Sequence, residues 1–156
     1  MAQFEKYHPI LTPHYALDWL TKARAIDVQR LYANNANVPV PITAVATTIN
    51  QTMRAIFRNQ KLVWGVSDRT SDAFVGQVGF DPIDMTTHQA TLQVSVCPDY
   101  QTAVTLQELY QRLVAFGTAE LKLTTLTVQH VDDPTAEILT ALGFQRLNQQ
   151  TYQYQR

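Results

Sequence analysis

Three side chains that can take part in proton transfer or hydrogen bonding lie in or just after two apolar segments. Ser95 lies within Thr91–Val96, and His130 lies near the end of Leu123–Val131, two residues before Asp132. An imidazole, whose ordinary pKa is near ~6.5, can accept a proton or relay it through water. His130 is therefore the main candidate for proton transfer. A surface histidine, an ordinary strand serine and a helix-capping aspartate remain open as alternatives for the three residues.

The stretch Thr91–Phe116 must position these groups, because its pattern predicts a strand, a short loop and a helix. Leu92, Val94 and Val96 alternate with polar residues, which is the period of a strand with one buried face. The helix is predicted from apolar residues at helical spacing, at Leu106, Leu109, Tyr110, Leu113 and Val114. Free backbone N–H groups at such a helix N-terminus are suited to a phosphate. The stretch thus suggests a nucleotide-like ligand.

The remaining elements follow from similar patterns. Residues 1–14 are interpreted as an N-terminal extension, either loosely structured or an edge strand. Gly117 is expected to end the main helix. Asp133 and Pro134 form a helix start, with Asp133 as N-cap, and Gly143 is the stop. The other predicted elements are strands at Tyr15–Leu20, Leu62–Val66, Phe74–Phe80 and Leu123–Val131, helices at Ala25–Tyr32 and Ile42–Asn59, and two short strands within Phe144–Tyr154.

Size and composition limit the classes of function. The chain has 156 residues, which predicts a single domain spanning residues 1–156. Its net charge is −1 and its basic residues are scattered, so a nucleic-acid partner is not expected. Cys97 is the only cysteine, and no histidine spacing suggests a metal site. No segment resembles a signal or a membrane span, so we expect a soluble, cytoplasmic protein without a membrane partner.

Four motifs in order resemble the GCN5-related N-acetyltransferase (GNAT) superfamily, and most closely its ribosomal-protein N-terminal (alanine) acetyltransferase branch. They are LVWGV at residues 62–66, FVGQVGFDPID at 74–84, CPDYQ at 97–101 and EILTALGF at 137–144. The resemblance implies an α/β (α+β) fold. Its central sheet is mixed and mostly antiparallel, with a splayed parallel strand pair and about four flanking helices.

The resemblance also implies a ligand and a reaction. Acetyl-CoA would lie between the splayed strands as co-substrate, without a metal, and its pantetheine arm would pair with the backbone of Val94–Val96. Asp132 replaces an asparagine and is expected near the pantetheine. The acetyl group would pass directly to a primary amine on a small molecule or a peptide N-terminus. The pyrophosphate would rest on a loop corresponding to Gln101, Thr102, Ala103, Val104, Thr105 and Leu106.

That loop departs from the family pattern, since Gln101 is kept but the small residues are replaced. Glycines let a backbone approach phosphate oxygens closely, whereas Val104 is β-branched. Thr105 and Glu108 are expected to form a capping box at the helix start. An alternative function is therefore a non-catalytic acyl-CoA-binding or regulatory domain. A third is a self-associating scaffold, and a homodimer is possible in either case.

The usual catalytic side chains of the family are also replaced. Leu139 stands where many members have a tyrosine, and Thr91 where the branch often has a glutamate. His130 and Ser95 are then the predicted catalytic residues. The oxyanion contact would come from strand backbone and so does not depend on side chains.

Overall fold

The computed structural model describes residues 4–156, which form one eight-stranded sheet flanked by helices. The strand order is β1-β2-β3-β4-β5-β6-β8-β7. All neighbours are antiparallel except β5 and β6, which are parallel. The strands are β1 Ile10–Leu11, β2 Tyr15–Asp18, β3 Leu62–Asp68, β4 Phe74–Asp84, β5 Gln89–Val96, β6 Thr125–Val128, β7 Gln145–Arg146 and β8 Tyr152–Gln155.

Four α-helices within the described residues cover the two faces of this sheet. They are α1 Ala25–Ala36, α2 Ile42–Phe57, α3 Ala103–Ala119 and α4 Asp133–Ala141. Alternate side chains of β3 point to opposite faces of the sheet and so belong to two apolar clusters. Leu62, Trp64 and Val66 pack with α3 and α4 in the larger cluster. Val63 points the other way, into a smaller cluster with Val28, Val45 and Ile49 of α1 and α2. The mixed, mostly antiparallel sheet with four helices is as expected.

Three predicted helix boundaries are wrong, and the first is the end of α1, which runs past Tyr32 to Ala36. The helix α3 runs through Gly117 to Ala119, because this glycine allows a close contact and does not end the helix. A Cβ at Gly117 would lie 2.9 Å from Cε1 of Phe80. The N-cap of α4 is Asp132, one residue earlier than expected, and its side chain accepts a hydrogen bond from Thr135 N–H. Both residues are aspartates, and aspartate is a favoured N-cap residue. The sequence therefore did not distinguish Asp132 from Asp133.

The segment before β2 is more ordered than its mixed sequence suggests. Phe4 is 1% exposed and belongs to the main core. The strand β1 pairs with β2 at the edge of the sheet. Of the two interpretations of residues 1–14, a loose extension or an edge strand, the structure therefore favours the edge strand. Residues 1–3 lie outside the described part of the chain. Among residues 4–156, none of the helices combines the length and apolar character needed to cross a membrane.

Candidate functional site

The parallel strands β5 and β6 separate halfway along β5. They pair at Gln89 with Thr125, Ala90 with Leu126 and Thr91 with Thr127, and the pairing then stops. The antiparallel pairing of β5 with β4 continues to Val96. A β-bulge accompanies the separation, since two residues of β4, Asp81 and Pro82, lie opposite Thr91 alone. Bulges bend and twist a strand locally, which suits the point where two neighbours part.

The exposed edge of β5 offers backbone hydrogen-bonding groups to the resulting gap. Cys97 N–H donates to Val75 O on the β4 side at 2.7 Å, and His88 O accepts from Thr124 N–H on the β6 side at 2.8 Å. Because alternate residues of a strand direct these groups to the same side, the N–H and C=O of Val94 face the gap. The N–H of Val96 faces it too. Within residues 4–156, no strand lies beside these groups.

A cleft of about 360 Å³ lies at the gap and is lined by residues from both faces of the sheet. On the α1 side it is lined by Gln77, Gln93 and Ser95. On the α3 and α4 side it is lined by Tyr110 and Asp132. A ligand entering from one face can therefore meet a second ligand entering from the other.

The α1 side of the cleft carries neutral polar groups held by two hydrogen bonds from α1. Asn35 Nδ2 donates to Ser95 Oγ at 2.7 Å, and Tyr32 Oη donates to Gln77 Oε1 at 2.6 Å. Burial raises the pKa of Tyr32, so its phenol stays neutral. Sequence reasoning missed Tyr32, Asn35 and Gln77. Nothing local marks them, because only the packing of α1 on the sheet brings them to the cleft.

His130 and Asp132 lie at the opposite wall, where the chain leaves β6. His130 is exposed, has a left-handed backbone with φ of 57°, and lines the cleft. Hydrogen bonds from Thr135 lower the pKa of Asp132, so the N-cap of α4 is a carboxylate at neutral pH. Among residues 4–156, no cluster of three His, Cys, Asp or Glu residues is placed to hold a metal ion.

The predicted phosphate loop lies outside the cleft lining, at the start of α3. Thr102 is the N-cap and its Oγ1 accepts from Thr105 N–H at 3.3 Å, which leaves the N–H groups of Ala103 and Val104 without an intrahelical acceptor. Val104 is 73% exposed, so its side chain does not fill the cleft. No residue from Cys97 to Leu106 has a positive φ. This loop path therefore does not require glycine.

The capping box predicted for Thr105 and Glu108 is absent, because Glu108 binds the N-terminal segment. Its carboxylate accepts hydrogen bonds from Thr12 Oγ1 and from His14 N–H, the latter at 2.9 Å, and contacts His14 Nδ1 at 2.7 Å. Thr105 is buried and its Oγ1 hydrogen-bonds Tyr15 Oη at 2.8 Å. The start of α3 is thus fastened to the segment around β2.

No protein-family model matches the chain, and no curated protein sequence is similar enough to match it. Solved structures, however, superimpose closely. An assigned ribosomal-protein-serine acetyltransferase from Vibrio cholerae has a TM-score of 0.81 at 18% identity, covering 95% of this chain and 97% of its own. Ribosomal-protein-S5-alanine acetyltransferase from Vibrio fischeri has a TM-score of 0.79 at 13% identity, covering 94% and 96% respectively.

A third similar structure contains a ligand of the expected type. The microcin C7 self-immunity acetyltransferase MccE, solved with acetyl-CoA and AMP, has a TM-score of 0.74 at 16% identity and covers 92% of this chain and 93% of its own. The chain therefore has the fold of the GNAT superfamily, and the fold expected from the sequence motifs is confirmed.

Glu108→Gln should destabilise the protein at neutral pH. Burial raises the pKa of Glu108, but hydrogen bonds from Thr12 and His14 outweigh burial and hold the pKa below its ordinary value. A lowered folded-state pKa stabilises the protein above the unfolded-state pKa and loses this effect as pH falls through the folded-state value. Melting curves at pH 7 should show the variant melting earlier than the wild type, with a smaller difference at pH 4, because this stabilisation is lost as the carboxylate becomes protonated.

Glu120→Gln, an exposed carboxylate just past the end of the same helix, is the matched control and should melt like the wild type at both pH values. Equal melting temperatures for Glu108→Gln and wild type at pH 7 would show that the carboxylate does not fasten α3.

Proposed function

We propose that this protein is an acetyl-CoA-dependent N-acetyltransferase that transfers acetyl directly to a primary amine on a small molecule or a peptide N-terminus. The observation that carries the proposal is the separation of β5 from β6, which leaves the N–H and C=O of Val94 facing an open cleft. A pantetheine arm contains amides that can pair with such an edge in the manner of an added strand. The acetyl-CoA would enter from the α3 side.

The same backbone can stabilise the reaction. Attack of an amine on a thioester develops negative charge on the carbonyl oxygen, and a fixed N–H donor directed at that oxygen lowers the barrier. The N–H of Val94 or Val96 is such a donor, because neither is used by a neighbouring strand. The helix N-terminus at Ala103 and Val104 supports the proposal further, since its free N–H groups suit a pyrophosphate.

The acceptor amine would enter from the α1 side, where Gln77, Gln93 and Ser95 line the cleft. These neutral groups can hydrogen-bond a peptide or a small polar amine. Ser95 would orient the acceptor, since its hydroxyl is already held by Asn35. His130 would take the amine proton, because it lines the cleft and reaches solvent.

The alternative of a non-catalytic acyl-CoA-binding or regulatory domain is favoured by one observation. The segment Cys97–Leu106 contains no basic residue, and Val104 projects an apolar side chain at the helix start. Phosphate binding there would rest on backbone N–H groups alone. Both functions predict that acetyl-CoA binds, but only the acetyltransferase predicts turnover. Measuring binding and turnover together therefore separates them.

A thermal-shift titration with acetyl-CoA tests the proposal. Ligand at about 100 times its dissociation constant should add about 2.7 kcal/mol to the free energy of unfolding and raise the melting temperature. Thiol release should then follow on addition of short peptides with free N-termini or small primary amines. A shift without thiol release would favour the non-catalytic domain, and no shift at millimolar acetyl-CoA would reject both.

His130→Asn tests the proton acceptor while respecting the left-handed backbone, which asparagine tolerates. With the base removed, kcat/KM should fall by about 10²-fold or more at pH 7. The loss should be smaller at pH 9, because more of the amine is already neutral. His88→Asn is a close control, since His88 is also an exposed histidine with φ of 57° and lies outside the cleft lining.

The control variant should keep the wild-type rate across this pH range. A parallel decrease for His130→Asn at both pH values, or no decrease at either, would remove His130 from proton transfer.

A further inference from the structure

The α1 side of the cleft, lined by Gln77, Gln93 and Ser95 and called the amine wall below, is held by two residues of α1. Gln77 and Ser95 are directly paired across β4 and β5, so their side chains stand beside each other on one face of the sheet. Tyr32 and Asn35 are three residues apart on α1 and so share one side of that helix. Tyr32 bonds Gln77 and Asn35 bonds Ser95. The two bonds together fix both strand side chains.

The bond from Tyr32 determines which end of the Gln77 amide is free. Tyr32 Oη lies 2.6 Å from Gln77 Oε1, a distance usual for an O–H donor but shorter than the usual range of N–H donors. Burial raises the pKa of Tyr32, so the phenol keeps the hydrogen that it donates. Gln77 Oε1 is thus occupied, whereas the two N–H donors on Nε2 have no hydrogen-bond partner within residues 4–156. Gln77 lines the cleft, so these donors are available to a ligand.

Asn35 sets the polarity of Ser95 in the same sense. Asn35 Nδ2 donates to Ser95 Oγ at 2.7 Å, and an amide nitrogen does not accept a hydrogen bond. The hydroxyl of Ser95 therefore keeps its own hydrogen to donate. Within the described residues that hydrogen has no acceptor, so it too is available to a ligand in the cleft.

Gln93 completes the amine wall with the opposite polarity. Its Nε2 donates to Asp81 O at 3.1 Å, which leaves its Oε1 as an acceptor. Gln93 and Ser95 are two residues apart on β5, so they project from the same face about 7 Å apart. No Asp, Glu, Lys or Arg of residues 4–156 lines this wall, since Asp132 lies on the opposite side of the cleft. The wall thus offers one acceptor and two donor groups, all of them uncharged.

We propose that Tyr32 and Asn35 are positioning residues that make Gln77 and Ser95 hydrogen-bond donors, and that the amine wall thereby selects primary amines carrying a carbonyl oxygen over polyamines. This inference rests on the proposed function. Ser95 borders the open edge of β5, and Gln77 lies one strand further in, about 5 Å away. An amine held at the edge by Gln93 Oε1 would direct a nearby carbonyl oxygen of the same molecule to Gln77 and Ser95.

A polyamine does not match this polarity. Its amines are protonated at neutral pH and only donate hydrogen bonds, so Gln77 and Ser95 would lose water without gaining an acceptor. The wall has no carboxylate to compensate the charge of the polyamine. A site built to hydrogen-bond one group of a substrate rejects molecules that lack it, because its own polar groups are then left unpaired.

Thiol release with alaninamide and with spermidine as the amines tests the selection. In the wild type, kcat/KM for alaninamide should exceed that for spermidine by about 10- to 100-fold at pH 7. Gln77→Glu replaces the free amide nitrogen by a carboxylate oxygen, which accepts and does not donate, so the ratio should reverse in favour of spermidine. The basicities of the two amines cancel when their ratio is compared between proteins.

Gln51→Glu adds the same charge at an exposed position of α2 outside the cleft lining, and this control should keep the wild-type ratio. A wild type that prefers spermidine, or an unchanged ratio in Gln77→Glu, would overturn the proposal.

Tyr32→Phe tests the positioning role. Without the phenol hydroxyl the Gln77 amide is free to rotate, and kcat/KM for alaninamide should fall by about 10-fold. The rate with spermidine and the melting temperature should stay close to wild type. A purely structural role would instead lower both rates together with the melting temperature, and that result would contradict positioning by Tyr32.

The NMR signal of the Gln77 side-chain amide gives a readout that needs no turnover. This signal, assigned by its absence in Gln77→Glu, should shift when alaninamide is added to the free or CoA-saturated protein, and should stay in place when spermidine is added. A shift with spermidine, or no shift with alaninamide, would overturn the proposal. Failure of the wild type to bind acetyl-CoA would reject the proposed function itself, which distinguishes the two failures.

Discussion

The site depends on a backbone edge that the fold leaves unpaired. After Thr91 the strand β5 keeps its partner β4 on one side and loses β6 on the other. Unpaired backbone groups inside a protein must find water or a ligand, because leaving them without a partner costs free energy comparable to a lost hydrogen bond. A bulge at Asp81 and Pro82 accompanies the point where β5 and β6 separate. The edge therefore offers hydrogen-bonding groups to water or to a ligand before any side chain is considered.

Side chains around α3 hold the second part of the site in place. Glu108 binds Thr12 and His14, and the buried Thr105 binds Tyr15, so the N-terminal segment fixes the start of the helix. With the helix start fixed in this way, Val104 points outward and the N–H groups of the first turn stay available. The glycines typical of the superfamily are thus replaced here without a residue at positive φ between Cys97 and Leu106.

Much of the fold could be predicted from the sequence, because alternation in β3, β4 and β5 and helical spacing in α3 reflect burial directly. The order of motifs then indicated the splayed strand pair. Long-range contacts could not be predicted. Gly117 looked like a helix stop because its contact with Phe80 is invisible in sequence, and Glu108 looked like part of a capping box because its partners lie 94 or more residues away.

The candidate site, too, could be predicted only in part from the sequence. Val94, Ser95, His130 and Asp132 were found from strand ends and motif order, and all four line the cleft. Tyr110 was interpreted as core because it belongs to the apolar stripe, and burial alone supports that interpretation. Tyr110 also lines the cleft, which depends on where α4 and β6 lie and is not visible in the sequence. Tyr32 and Asn35 were missed since only the packing of α1 gives them partners at the site.

Hydrogen exchange of the β5 backbone amides, measured by NMR with and without saturating acetyl-CoA, tests the open edge most directly. In the free protein we expect the Val94 amide to exchange rapidly while its neighbours Gln93 and Ser95, bonded to β4, are protected. With acetyl-CoA bound, the Val94 amide should become protected and its neighbours should change little. Protection of Val94 equal to that of Ser95 in the free protein, or no added protection at saturation, would contradict a ligand-binding strand edge.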